Sequence, residues 1–275
     1  MDGEELKNRL KHFIPIMIIF LIILCFSKNI RSMELQNTMK PIKDLTTYQI
    51  NLNQEKKVIY LTFDDGPSIV TNKILDILKE NDVKATFFLI GNQIDGLEDT
   101  VKRIHSEGHS MGLHTYTHKF KRIYSNGDVF IKEMIQCREK INEIAGVSPN
   151  IIRFPGGSRK HLTEAYLNKL HSCNFKIYDW NIETIDGLKP KASPDKLYRQ
   201  ATKGSEEVSS IILLMHCDYM HKNTCKALPK IISYYKDKGY EFKPITEDTP
   251  ELYFPLTKKT FNFFDFIFSS KNCTE

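Results

Sequence analysis

The six cysteines of the 275-residue chain include no Cys-x-x-Cys pair, which excludes a zinc ribbon and a thioredoxin-like redox motif. Of Cys25, Cys137, Cys173, Cys217, Cys225 and Cys273, only Cys217 and Cys225 stand close enough to suggest a local disulfide. Free buried cysteine is the alternative there. A strong charge of either sign is missing too. The 39 Lys+Arg against 34 Asp+Glu leave +5, and with no concentrated basic tract no nucleic-acid partner is expected. Long apolar runs are also scarce. The uncharged block Phe13 to Phe26 has 14 residues, about 21 Å as a helix, short against a hydrocarbon core of roughly 30 Å. It reads either as a signal-peptide h-region or as an uncleaved signal anchor that draws in part of its flanks. The cleavage candidate Cys25-Phe26-Ser27 matches Ala-x-Ala poorly, which favours the anchor and a single-pass membrane protein. Lys7, Arg9 and Lys11 before the block and Lys28 and Arg31 after it leave orientation open. No protein partner follows from the sequence.

What is present begins after a tether. From Lys28 to about Lys56 the chain is rich in Asn, Gln, Lys and Thr without an apolar period, the pattern of a flexible linker. Beyond it, short apolar runs alternate with amphipathic stretches, as βα units do. Strands are predicted near 58–63, 84–90, 109–113, 150–154, 175–180, 210–215 and 241–245. Between them, 72–80 carries Ile74, Leu75 and Leu78 on one side. A longer helix over 128–145 places Phe130, Met134, Cys137, Ile141 and Ile144 at helical spacing. The length suits one large α/β domain with extensions.

The chain turns on Thr62-Phe63-Asp64-Asp65-Gly66-Pro67, where the apolar run Val58-Ile59-Tyr60-Leu61 ends. Adjacent carboxylates at a strand end point to opposite sides, so one can hold a metal while its neighbour faces a bound water. Downstream, His114-Thr115-Tyr116-Thr117-His118 sets two imidazoles four residues apart, which on a helical turn would stack both rings on one face. With one carboxylate they make a two-His, one-carboxylate set suited to metal-assisted hydrolysis. Asp64, Asp65, His114, Arg153 and His216 all fall at or just past the end of a predicted strand. In a β/α barrel those ends converge on one face.

These motifs carry a resemblance. Asp64-Asp65, His114 and His118, Arg153-Phe154-Pro155-Gly156-Gly157, Asp186, and Leu214-Met215-His216 resemble, in order, the five motifs of the polysaccharide deacetylases (NodB homology, carbohydrate esterase family 4). The resemblance covers about residues 57 to 246 and includes Lys84-Ala85-Thr86-Phe87-Phe88-Leu89-Ile90-Gly91. It implies an α/β fold, a distorted (β/α) barrel of seven or eight strands, with the catalytic domain outside the cell. The organisation read from the chain is then 1–27 cytoplasmic tail and transmembrane anchor, 28–56 linker, 57–246 deacetylase domain and 247–275 extension of unknown role.

By the resemblance, Asp65, His114 and His118 hold a divalent metal, zinc first, with cobalt, manganese, iron or nickel as alternatives. Asp64 is the general base with Arg153 beside it, and His216 is the general acid. Asp186 tunes the His216 and Arg153 pairing, and Gly156 N–H joins an oxyanion hole. Two positions depart from the family pattern: Gly156 and Gly187 stand where many relatives carry aromatic rings. The implied activity is removal of N-acetyl groups from a glycan, with peptidoglycan as the partner substrate. The alternatives are an O-acetyl esterase or cyclic amide hydrolase on the same scaffold, or a catalytically idle glycan-binding protein. His105, His109, His161, His171 and His221 match no motif, and Trp180 reads as packing.

Overall fold

The computed structural model describes residues 56–257. Strand β1 (Val58–Gly66) lies at the centre of a sheet of parallel strands ordered β5-β4-β3-β2-β1-β7-β6, with β8 joined to the start of β1. The others are β2 (Thr86–Leu89), β3 (Ser110–Leu113), β4 (Ile151–Ile152), β5 (Lys176–Ile177), β6 (Ile182–Glu183), β7 (Ser210–His216) and β8 (Glu241–Phe242). Helices flank this half-barrel, as parallel strands require of their crossovers. Every predicted strand has a counterpart, but β4, β5 and β8 shrink to two residues each. Strand β6 is a strand the sequence did not announce. Two residues carry no readable period, and the Asn181 side chain does part of the pairing, donating to Ser210 O (2.8 Å) and accepting from Ile212 N (2.9 Å).

Helix α1 (Ile69–Glu80) starts three residues before the predicted 72, because Ser68 caps it: its hydroxyl accepts from Val70 N and a capping box closes with Thr71. The remaining helices are α2 (Glu98–Ser106), α3 (Phe120–Ile123), α4 (Gly127–Ala145), α5 (Glu164–Ser172), α6 (Pro194–Thr202) and α7 (Lys222–Asp237). Helix α4 runs from an Asn126 cap to a left-handed Gly146 and buries Phe130, Met134, Cys137 and Ile141 as its spacing predicts.

The strand period of two decides what faces the site. On β1, Ile59, Leu61 and Phe63 enter the main core under the helices, as do Ile211, Leu213 and Met215 on β7. The opposite parity holds Tyr60, Phe88, Ile151 and Ile212 in a smaller cluster on the inner face. Asp64 and His216 share that inner parity and are register partners across β1 and β7. Each fully buried core side chain such as Phe63 or Leu213 contributes about 1.5–3 kcal/mol, so the charged inner face rests on a strong apolar backing.

Two expectations are corrected. Cys217 and Cys225 are free, buried thiols, not a disulfide; Cys217 instead packs under Gly66, where an added Cβ would stand 2.8 Å from its Sγ. The single-pass membrane location is not supported either: among the described residues no helix is long and apolar enough to cross a membrane. The block 13–26 on which that expectation rested lies outside the described residues, and at 14 residues it falls short of the roughly 20 that a spanning helix needs. The tether 28–56 lies outside them too, except for Lys56, as does the extension from residue 258 on.

Candidate active site

Asp64 and Asp65 diverge as an extended chain end predicts, and the backbone sharpens the split. Asp64 is still on β1 and almost fully buried, whereas Asp65 adopts a left-handed φ of 64° and turns toward the histidines. Asp65 Oδ1 lies 3.5 Å from His114 Nε2 and 3.3 Å from His118 Nε2. The His pair does not sit on a helical turn. His114 leaves the end of β3 and His118 follows in a loop with left-handed Thr115 (φ 68°) and His118 (φ 54°). That loop still brings the ring centroids to 5.1 Å.

Buried Glu133 of α4 fixes the loop, accepting from Tyr116 N (3.1 Å), Thr117 N (2.7 Å), the Thr117 hydroxyl and Arg122 Nε (2.6 Å). Sequence reading missed Glu133. The signal was a carboxylate inside the apolar stripe of α4, between Phe130 and Cys137, where only a satisfied charge can be buried.

His114 Nδ1 donates to Arg153 O (2.9 Å), which fixes the tautomer and leaves the Nε2 lone pair facing Asp65. Burial pushes the His114 pKa down to about 3, against the pull of Asp65, so the ring is neutral and free to act as a ligand. Asp65 Oδ1 is buried without a hydrogen-bond partner. That buried oxygen faces the Nε2 atoms of both imidazoles, and one carboxylate with two imidazoles is a donor set that fits a divalent metal ion.

Just past the end of β4, Arg153 is fully buried and donates from Nη1 to Asp64 Oδ1 (2.9 Å) and Thr62 Oγ1 (2.7 Å). Its remaining donors reach Tyr178 O (2.7 Å) and Asp179 O (3.1 Å), and its guanidinium lies 4.2 Å from the Phe88 ring centroid. With this partner set it is no surface ion pair. Burial raises the Asp64 carboxyl above the usual carboxylate range, while Arg153, His216 and His118 pull it down.

His216 Nδ1 meets Asp186 Oδ1 at 2.7 Å. Burial alone would lower the His216 pKa, but the hydrogen bond and charge of Asp186, with Asp64 and Asp65, outweigh it and lift the value to about 9. Asp186 is tied to His216 and not to Arg153: it also accepts from His216 N (2.9 Å), Gly187 N (2.8 Å) and Thr224 Oγ1 (2.8 Å). His221, left unassigned by its sequence, stacks on His216 with centroids 5.2 Å apart and pairs with Asp218 at 2.9 Å. No spacing rule pointed to it, because the contact crosses the turn into α7.

The two departures acquire reasons. A Cβ at Gly187 would lie 2.4 Å from His216 Cε1, so the bare backbone makes room for that ring. Gly156, with φ 76°, lies under Phe120, whose ring would be 3.4 Å from an added Cβ and which meets His118 edge-on at 5.3 Å. Trp180 packs edge-on against Phe254 (5.1 Å), and Phe254 N donates to buried Asp179 (2.8 Å). Leu252 bridges to Tyr178, so residues around 252–254 pack beside the site.

The pattern of the polysaccharide deacetylase family matches residues 51–175. A peptidoglycan-N-acetylglucosamine deacetylase of Bacillus cereus is 39% identical over 211 residues, covering 74% of this chain and 73% of the relative. The chain belongs to the polysaccharide deacetylase family. Among solved structures similar to this deacetylase-family chain, a polysaccharide deacetylase from Bacillus cereus superposes with TM-score 0.65 at 38% identity, covering 76% of this chain and 98% of that one. The catalytic domain of a peptidoglycan N-acetylglucosamine deacetylase from Eubacterium rectale gives 0.68 at 28% identity, covering 75% and 96%. The family pattern ends before Asp186 and His216, so for those residues this deacetylase is described by its own geometry.

Proposed function

We propose that this chain is a metal-dependent hydrolase that removes N-acetyl groups from peptidoglycan, at N-acetylglucosamine, releasing acetate. The carrying observation is that a two-imidazole, one-carboxylate set, a buried Asp–Arg pair and a carboxylate-held histidine meet at the C-terminal ends of β1, β3 and β7. The names of the relatives supply the substrate class.

Asp65, His114 and His118 would hold the metal, and zinc suits two nitrogens and one carboxylate oxygen. A bound divalent ion supplies a water of lowered pKa and polarises the amide carbonyl. Asp64 accepts a proton from the attacking water, and Arg153 orients its carboxylate. The raised His216 pKa keeps that imidazole protonated at neutral pH, so once the water oxygen has bonded to the carbonyl carbon it donates to the leaving nitrogen as the C–N bond breaks. Gly156 N–H is the proposed oxyanion donor. Balanced, one water is consumed and acetate and a free amine are released.

Incubation of the purified protein with peptidoglycan, followed by acetate assay and mass analysis of the released muropeptides, tests this reading. The expected product lacks one acetyl on N-acetylglucosamine. Intact acetylation with a metal-loaded protein refutes it.

A further inference from the structure

Among the described residues, the exposed large hydrophobic side chains are Ile69, Phe120, Leu188, Tyr219 and Met220, between 47% and 78% exposed. They are not scattered. Each lies on a segment leaving the C-terminal end of a site-bearing strand: Ile69 after β1, Phe120 after β3, Leu188 after β6, and Tyr219 and Met220 after β7. In a parallel sheet those ends share one edge. The sheet order β3-β2-β1-β7-β6 spreads them over four strand spacings, roughly 19 Å.

Exposed apolar side chains concentrated on one rim mark a binding surface. Phe120 joins that rim to the chemistry, because its ring touches His118 and covers Gly156. The one carboxylate adjoining these residues in sequence, Asp218 before Tyr219, is half-buried and spent on His221, and the exposed charges beside the apolar groups are basic. Lys119 and Lys121 bracket Phe120, Lys189 follows Leu188 and Lys222 lies two residues beyond Met220. All four lysines are exposed, and none enters an ion pair among the described residues, unlike Arg122, which is spent on Glu133.

We propose that this rim is a docking track for an extended glycan strand bearing carboxylate groups. The apolar side chains lie against the C–H faces of sugar rings on either side of the reacting one, and the unpaired lysines meet the carboxylates of its side groups. A rim offering aromatic and aliphatic side chains for ring faces, with lysines next to them in the chain, fits a strand of alternating apolar faces and acidic substituents. A neutral glycan would use only the apolar half. This rests on the deacetylase reading above for the identity of the strand, and it makes the rim the element that favours peptidoglycan over a neutral N-acetylglucosamine polymer.

Cosedimentation of the metal-loaded protein with purified peptidoglycan, with chitin and with phosphatidylglycerol vesicles tests the proposal. The combined variant Leu188→Ser, Tyr219→Ser, Met220→Ser should weaken binding to peptidoglycan by roughly fivefold or more. Lys189→Glu with Lys222→Glu should weaken binding to peptidoglycan more than binding to chitin, and added salt should narrow the gap between the two glycans. The ratio of kcat/KM on long strands to that on a single acetylated disaccharide should fall in both variants, while their melting temperatures confirm the fold. Unchanged peptidoglycan binding in the triple variant overturns the track, as does a lysine variant that weakens both glycans equally. Loss of vesicle binding with peptidoglycan binding intact assigns the rim to a lipid surface and also overturns it. Protein that binds peptidoglycan through the rim but releases no acetate supports the track and refutes the deacetylase reading, so the two failures are distinguishable.

Discussion

Replacing Asp186 with Asn tests how the proposed acid is set. The carboxylate accepts four hydrogen bonds, at 2.7 and 2.8 Å on Oδ1 and 2.9 and 2.8 Å on Oδ2. An amide keeps one oxygen, so two donors would face its NH2 and the negative charge is gone. Burial, the largest influence on His216, is then opposed only by the charges of Asp64 and Asp65, and the pKa falls from about 9 toward its ordinary 6.5. At pH 7.5 an imidazole of pKa 9 is almost wholly protonated and one of 6.5 about a tenth so, which costs roughly tenfold in rate from protonation alone. The alkaline limb of kcat/KM should move down by about two pH units or more.

The sign carries over to stability. A raised folded-state pKa means that His216 contributes up to about 3 kcal/mol, fully present below pH 6.5 and lost as pH rises through about 9. Asp186→Asn should therefore flatten the fall of melting temperature between those pH values. The assay pairs the pH profile with an NMR titration of the His216 imidazole. A variant whose alkaline limb and imidazole midpoint both stay where the parent has them refutes the reasoning, because neither can stay if Asp186 holds the proton.

The adjacent aspartates should fail differently: Asp65→Asn loses bound metal and partly recovers with excess ion, whereas Asp64→Asn keeps its metal and loses on the order of 10²- to 10⁴-fold in rate. Metal analysis of both variants decides, and an exchange of the two outcomes sinks the assignment. His114→Ala removes a proposed ligand and should lower the content of divalent metal from close to one per chain, measured by mass spectrometry after dialysis; undiminished occupancy would exclude His114 as a ligand. Gly187→Ala places a Cβ 2.4 Å from His216 Cε1, and the displaced ring should cost on the order of 10²-fold in kcat. Activity equal to the parent would show that the ring has room to spare.

Much of the site was legible because strand ends and short motifs are local. Asp64, Asp65, Arg153 and His216 announce themselves where an apolar run stops, and a period of two then sends Asp64 and His216 to the same face. The amphipathic stripe of α4 was equally plain, since Phe130, Met134, Cys137 and Ile141 repeat at helical spacing. What the sequence could not decide depends on contacts between distant segments. The His114–His118 spacing fits a helical turn, yet the loop is left-handed at Thr115 and His118 and is clamped by Glu133 from α4. Two-residue strands such as β6 exist because β7 offers open hydrogen-bonding groups, not because their own residues prefer them. His221 and Phe120 reach the site only through turns that stack them on His216 and His118. The pKa values belong wholly to the tertiary structure. His114 and His216 are the same residue type, and burial leaves one near 3 while a buried carboxylate holds the other near 9.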